Sequence, residues 1–228
     1  MDATAILANH LNKHHILPGK VVDYNASADS LYPLDLTAAN TELTAEMVAD
    51  TAAFSVYINT QLLTGNYRYA IGGYMEHRTV YSRSALFDTA DEPRRLHLGT
   101  DIWGDAGLPV YSPFDATVHS FADNNHFGDY GPTIILQHDL GGLTLYSLYG
   151  HLSRASLTGL QTGQSIAVNQ QIGTLGTAHE NGSWPPHLHF QLMLAIGAAR
   201  GDYLGVGKFT QKDMLLQNIA DPKLVLGF

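Results

Sequence analysis

Cysteine is absent from all 228 residues. That excludes disulfides, thiolate nucleophiles and cysteine-ligated structural zinc, so any bound metal must rely on nitrogen and oxygen ligands. Basic residues are also scarce, 12 Lys and Arg against 21 Asp and Glu, for a formal net charge of -9. Nucleic acid and anionic lipid are thereby excluded as general partners, because both need clustered cations to neutralise phosphates. No apolar run reaches the roughly 18–20 residues of a membrane-crossing helix, so no transmembrane segment is expected. The opening stretch Met1 to His10 has no basic start, apolar core or small-residue cleavage site of an export signal. A complete chain of this kind is expected in the cytoplasm; one from which an export signal had been trimmed belongs outside it.

What is present is a globular composition, 45% hydrophobic and 14% charged, with 22 glycines suited to many turns. Residues 1–65 read as a helical and loop appendage, with apolar Met47, Val48, Phe54, Val56, Ile58 and Leu62 supporting a helix over 44–63. His10, His14 and His15 cluster there without a carboxylate beside them, and a solvated helix face is the expectation. Residues 66–228 change to short β-prone runs punctuated by Gly, Pro, Asn and Asp, among them 116–121, 133–138, 143–151 and 187–194. The expected class is mainly β, an antiparallel sandwich or barrel-like domain, since helical crossovers for a parallel sheet are missing after residue 90.

Three segments carry candidate chemistry. In Leu96-His97-Leu98-Gly99-Thr100-Asp101-Ile102, alternation on a strand puts His97 and Asp101 on one face with only Gly99 between them. In the run from His187 to Leu194, Leu188, Phe190, Leu192 and Leu194 share one face, so His187 and His189 point together from the other. The third, Tyr149-Gly150-His151-Leu152, ends a strand with a histidine. Two His and one carboxylate with an open fourth position is the donor set of catalytic zinc, and further histidines can move protons beside it. Spacing alone leaves open which of His187 and His189 is the ligand. His138, His126 and His179 read as locally bonded or solvated, and Tyr149 and Trp184 as packing residues with a place near the cleft.

These motifs, in this order, resemble the lysostaphin/LytM family of zinc endopeptidases: H-x-G-x-D at His97–Asp101, Y-x-H-L at Tyr149–Leu152, and H-L-H-F at His187–Phe190. The resemblance covers roughly residues 95–194. It implies an antiparallel duplicated-hybrid-motif fold and one zinc ion per chain, with His97, Asp101 and His189 as ligands and His151 and His187 as catalytic histidines. The implied reaction is hydrolysis of a peptide bond, in a peptidoglycan cross-bridge or another glycine-containing peptide, by metal-activated water. Two departures bear on the substrate groove: Gln191 where a glutamate often stands, and a bulky 178–185 loop ahead of the last motif. Similar modules also occur in cytoplasmic fusion proteins. The alternative expectation is therefore a catalytically inactive, metal-binding or regulatory interaction module of the same fold. A phosphoryl-carrier reading of the paired histidines fails on Asp101, whose charge repels phosphate and suits a divalent cation.

Overall fold

The computed structural model describes all 228 residues. In chain order its helices are α1 (Ala3–His14), α2 (Ala45–Ala49), α3 (Thr51–Gly65), α4 (Lys212–Leu215) and α5 (Lys223–Leu226). Its strands are β1 (Leu31–Pro33), β2 (Tyr69–Gly72), β3 (Leu96–His97), β4 (Thr100–Trp103), β5 (Pro109–Tyr111), β6 (Ala116–Asn124), β7 (Gly131–Asp139), β8 (Thr144–Gly150), β9 (Ser165–Ile166), β10 (Gln171–Thr174), β11 (His187–Met193), β12 (Val206–Gly207) and β13 (Ile219–Ala220). One nine-stranded sheet dominates, ordered β1-β2-β4-β11-β8-β7-β6-β9 with β13 also on β11. The fold is mainly β, as the punctuated sequence requires. Its sheet does not close into a barrel, and it is mixed rather than purely antiparallel, because β1 pairs parallel to β2.

β11 occupies the middle of the sheet, and its alternation sets the register. Leu188, Phe190 and Leu192 go into the larger apolar cluster beside Ile102, Ile134 and Leu136. At about 1.5–3 kcal/mol per buried large apolar side chain, a one-residue slip forfeits roughly 5–9 kcal/mol from these three alone. The histidines are therefore turned to the opposite face by the packing of their neighbours.

The first 65 residues pack on both faces. Asp2 caps α1 by accepting from the Ala5 amide, and Leu7 and Leu11, four apart, bury against the cluster that holds Leu188 and Phe190. Asp50 caps α3 by accepting from the amides of Ala52 and Ala53, and Phe54 and Ile58 bury into a second cluster with Trp103 and Trp184. α1 thus backs one face of the sheet while α3 lies on the other, the face that carries the histidines. The stretch read as one helix over 44–63 is two, broken at Asp50, which ends α2 and caps α3.

Candidate metal and catalytic centre

The antiparallel pairing of β11 with β4 sets His189 opposite Asp101 and His187 opposite Trp103. His97 reaches the same place from β3. The expected single strand over 96–102 is interrupted at Leu98 and Gly99, so Leu96 and Leu98 enter a third cluster with Ile135 and Met193, while Ile102 joins the main one. Gly99 is required at the break: a Cβ there would lie 2.7 Å from His189 Nε2 and 2.6 Å from the Phe190 carbonyl oxygen.

Three donor atoms converge. His97 Nε2 lies 3.1 Å from Asp101 Oδ1 and 2.9 Å from His189 Nδ1, and His189 Nδ1 lies 3.0 Å from Asp101 Oδ1. The protonation of each ring follows from its outer partner. His97 Nδ1–H donates to the Gly73 carbonyl at 2.9 Å, so Nε2 carries the lone pair. His189 Nε2–H donates to Gln191 Oε1 at 3.1 Å, and Gln191 is oriented by its own Nε2 donating to the Leu204 carbonyl at 3.1 Å. Burial first, then the Arg78 charge, pushes His97 down to about 3, so the ring is neutral. Burial alone would raise the Asp101 carboxyl, but the charge of the Arg78 guanidinium beside it holds it well below the usual carboxylate range.

With the outer ring nitrogens donating in this way, three lone pairs face one another about 3 Å apart, an arrangement that a bound cation would stabilise. Tetrahedral zinc with ligand bonds of about 2.0–2.2 Å needs donor separations of about 3.3 Å, close to those found. The His97–Asp101–His189 group fits a divalent metal in number, atom type and spacing.

Next to this triad stand His151 and His187, ring centroids 4.1 Å apart. His151 follows β8 directly and has φ of 63°, a left-handed conformation uncommon for a side chain of this size. Its backbone is tied down at both ends: the amide donates to the Tyr130 carbonyl, and its carbonyl accepts from the Gly176 amide. His151 Nδ1–H donates to the Asn181 carbonyl at 2.8 Å, and His187 Nδ1–H to the Pro185 carbonyl at 2.7 Å. Each Nε2 is left as a free base without a hydrogen-bond partner. Burial, chiefly, pushes His187 down to about 4 and His151 well below its usual value, the latter also through its His187 neighbour. Trp103 stacks on His187 at 5.3 Å and 17°.

Both histidines and the triad's Asp101 and His189 line one cavity of about 250 Å³, walled on the apolar side by Leu36, Phe54, Tyr81, Phe87 and Trp184. The structure thus gathers all five residues singled out in the sequence. Trp184, expected mainly as a packing residue, also lines the cavity, whereas Tyr149 is buried on the opposite face with Phe190. His179 and His126 are exposed, and the His10 side chain bonds the Leu140 carbonyl far from the centre. Sequence reasoning missed Arg78, which binds the second Asp101 oxygen, and Tyr130, whose hydroxyl lies 3.4 Å from His189 Nε2. Glu76 and Arg78, two apart and of opposite sign, were the sole hint of the former; nothing in Gly-Asp-Tyr-Gly-Pro marked the latter.

Two imidazoles and a carboxylate converging on one point, with two further imidazoles on the same cavity, are a donor set of the kind that metal-dependent hydrolases use. Residues 95–200 match the profile of Peptidase family M23. The chain is 32% identical over 102 residues to an L-Ala--D-Glu endopeptidase of Bacillus subtilis, covering 42% of this chain and 29% of that protein. It is 33% identical over 113 residues to the peptidoglycan DD-endopeptidase ShyA of Vibrio cholerae, covering 45% of this chain and 24% of that one. The match spans less than a third of either relative. Among solved structures, the catalytic domain of lysostaphin from Staphylococcus simulans aligns with a TM-score of 0.42 and 21% identity, over 71% of this chain and 96% of that one. No helix is long and apolar enough to cross a membrane.

Proposed function

We propose that this protein is a zinc-dependent metalloendopeptidase, with His97, Asp101 and His189 holding one zinc ion and His151 and His187 moving the protons. The observation that carries this reading is the convergence of three unprotonated donors beside two imidazoles whose Nε2 atoms are free and open to the same cavity. Zinc in that position supplies Lewis acidity toward a peptide carbonyl and toward water.

The protein's own groups account for the rest. Neutral His151 and His187 each offer an Nε2 lone pair, and one of them takes the proton of the attacking water. With ring centroids 4.1 Å apart the two cannot comfortably carry charge together, so a single proton is held between them. The imidazolium so formed donates first toward the developing oxyanion and then to the departing amine nitrogen, which returns the pair to its starting state. The Asn181 and Pro185 carbonyls hold each Nδ1–H and become better partners as the ring gains charge.

Peptidoglycan peptides are the proposed substrate class, on the strength of the two relatives' activities. The measurement is zinc content of the purified protein beside His97→Ala and His189→Ala, with release of peptides from purified peptidoglycan assayed on the same samples. One zinc per chain, lost in both variants together with hydrolysis, is expected. Bound zinc with no hydrolysis of peptidoglycan or of a glycine-containing peptide library points instead to a regulatory module.

A further inference from the structure

We propose that Arg78 is a positioning residue for the centre: it holds the outer oxygen of Asp101 so that only Oδ1 faces the metal position, and Glu76 offsets its charge so that it can do so beside a dication. The proposal rests on the metal reading above and concerns how one ligand is presented.

Arg78 is 1% exposed, and a guanidinium so buried costs several kcal/mol unless its charge is met. It is met twice. Nη1 donates to Asp101 Oδ2 at 2.5 Å, and Nε donates to Glu76 Oε2 at 2.6 Å. Nη1 also lies 3.3 Å from the Tyr81 hydroxyl. The other Asp101 oxygen is the one that faces His97 and His189. A carboxylate with both oxygens free can turn to chelate a metal through both; with Oδ2 engaged by an immovable donor, it presents one.

The surroundings are shaped around this contact. Gly72 lies opposite Asp101 on β2, and a Cβ there would lie 2.6 Å from Arg78 Nη2 and 2.5 Å from Trp103 Cη2. The same guanidinium lies 5.7 Å from the Trp103 ring, the ring that stacks on His187. Arg78 therefore touches the support of a ligand on one side and of a catalytic histidine on the other. Charge counting gives Glu76 its part. Asp101 and Glu76 against Arg78, with neutral histidines, leave one net negative charge for a dication to meet. Without Glu76 the same dication faces an uncompensated guanidinium across a single carboxylate.

The test uses the full chain loaded with Co2+, whose visible absorption is stronger in four-coordinate than in five- or six-coordinate sites. Arg78→Met is expected to weaken and shift that absorption and to lower turnover about 10–100-fold with KM little changed. Arg78→Lys keeps a cationic donor for Asp101 and is expected to retain the parent spectrum. Glu76→Gln is expected to keep the spectrum while Co2+ affinity, read by chelator competition, falls about tenfold. An Arg78→Met spectrum identical to the parent's overturns the proposal, as does an Arg78→Lys spectrum altered as much as that of Arg78→Met. Should thermal melting show that Arg78→Met does not fold, unchanged Co2+ affinity in Glu76→Gln overturns it. A parent protein that binds no Co2+ at all brings down the metal reading itself, which separates the two failures.

Discussion

His138 on β7 and His187 on β11 are both buried, 0% and 3% exposed, and burial pushes both rings down to about 4. They differ at the second nitrogen. His138 spends both, Nδ1 on the Asp115 carbonyl at 3.1 Å and Nε2 on Ser147 Oγ at 2.7 Å, far along the sheet from the cavity. His187 spends one on the Pro185 carbonyl and leaves the other open to the cavity, as His151 does with Asn181. Burial and a depressed pKa therefore do not by themselves mark a working histidine. The unspent nitrogen does, since only a free lone pair can take a proton or a metal.

The contrast yields graded expectations. The largest effect falls on the triad: Asp101→Ala or His97→Ala removes one of three converging donors and is expected to abolish stoichiometric zinc binding and hydrolysis together, as measured by elemental analysis and peptide release. Retained zinc in either variant would falsify the ligand assignment. Next come His151→Ala and His187→Ala, for which zinc stays bound while kcat falls about 10²–10⁴-fold, the range for loss of a proton-transfer group. Loss of metal along with rate in these two would move them from proton transfer to ligation. Gly99→Ala, whose new methyl meets the His189 ring and a backbone carbonyl, is expected to lower zinc affinity about 10–100-fold by displacing His189; equal affinity in a chelator titration would show that β11 can yield.

On the far side of the comparison, His138→Ala is expected to cost about 2–4 kcal/mol of stability through a cavity and the loss of the imidazole's bonds to Ser147 and the Asp115 carbonyl, with zinc content and kcat per folded molecule unchanged. A change in kcat there erases the distinction drawn between the two histidines. The last expectation is shared by both. A ring near 6.5 when unfolded and about 4 when folded binds more protons in the unfolded state between those values. Its contribution is complete above about pH 6.5 and is lost as pH falls toward 4, on the order of 3 kcal/mol for His138. Urea midpoints of the metal-free protein should decline over that window and shift less in His138→Ala; a flat profile contradicts the buried neutral state.

Much of the centre was legible beforehand because strands print their faces at a period of two. Leu188, Phe190 and Leu192 announce which way His187 and His189 point; over 96–102 the alternation picked out the right pair, His97 and Asp101, although two strands rather than one bring them together. What the alternation does not carry is the break at Leu98–Gly99, which comes from the close approach of β11 rather than from any propensity of the residues themselves. Arg78 and Tyr130 were not legible for a related reason. Each meets the centre through a residue more than 20 positions away, and no period in the sequence records that contact.

By itself the sequence determined the β-rich class, the nitrogen and oxygen character of any metal site, and the three motifs, since composition and alternation are local properties of the chain. Only the tertiary structure decided that β1 joins the sheet in parallel, that α1 and α3 back opposite faces, that His189 turns Nδ1 rather than Nε2 inward, and that Asp101 is gripped from behind by Arg78. Each of these depends on which distant atoms meet, and that is set by the burial of the whole sheet rather than by any one segment.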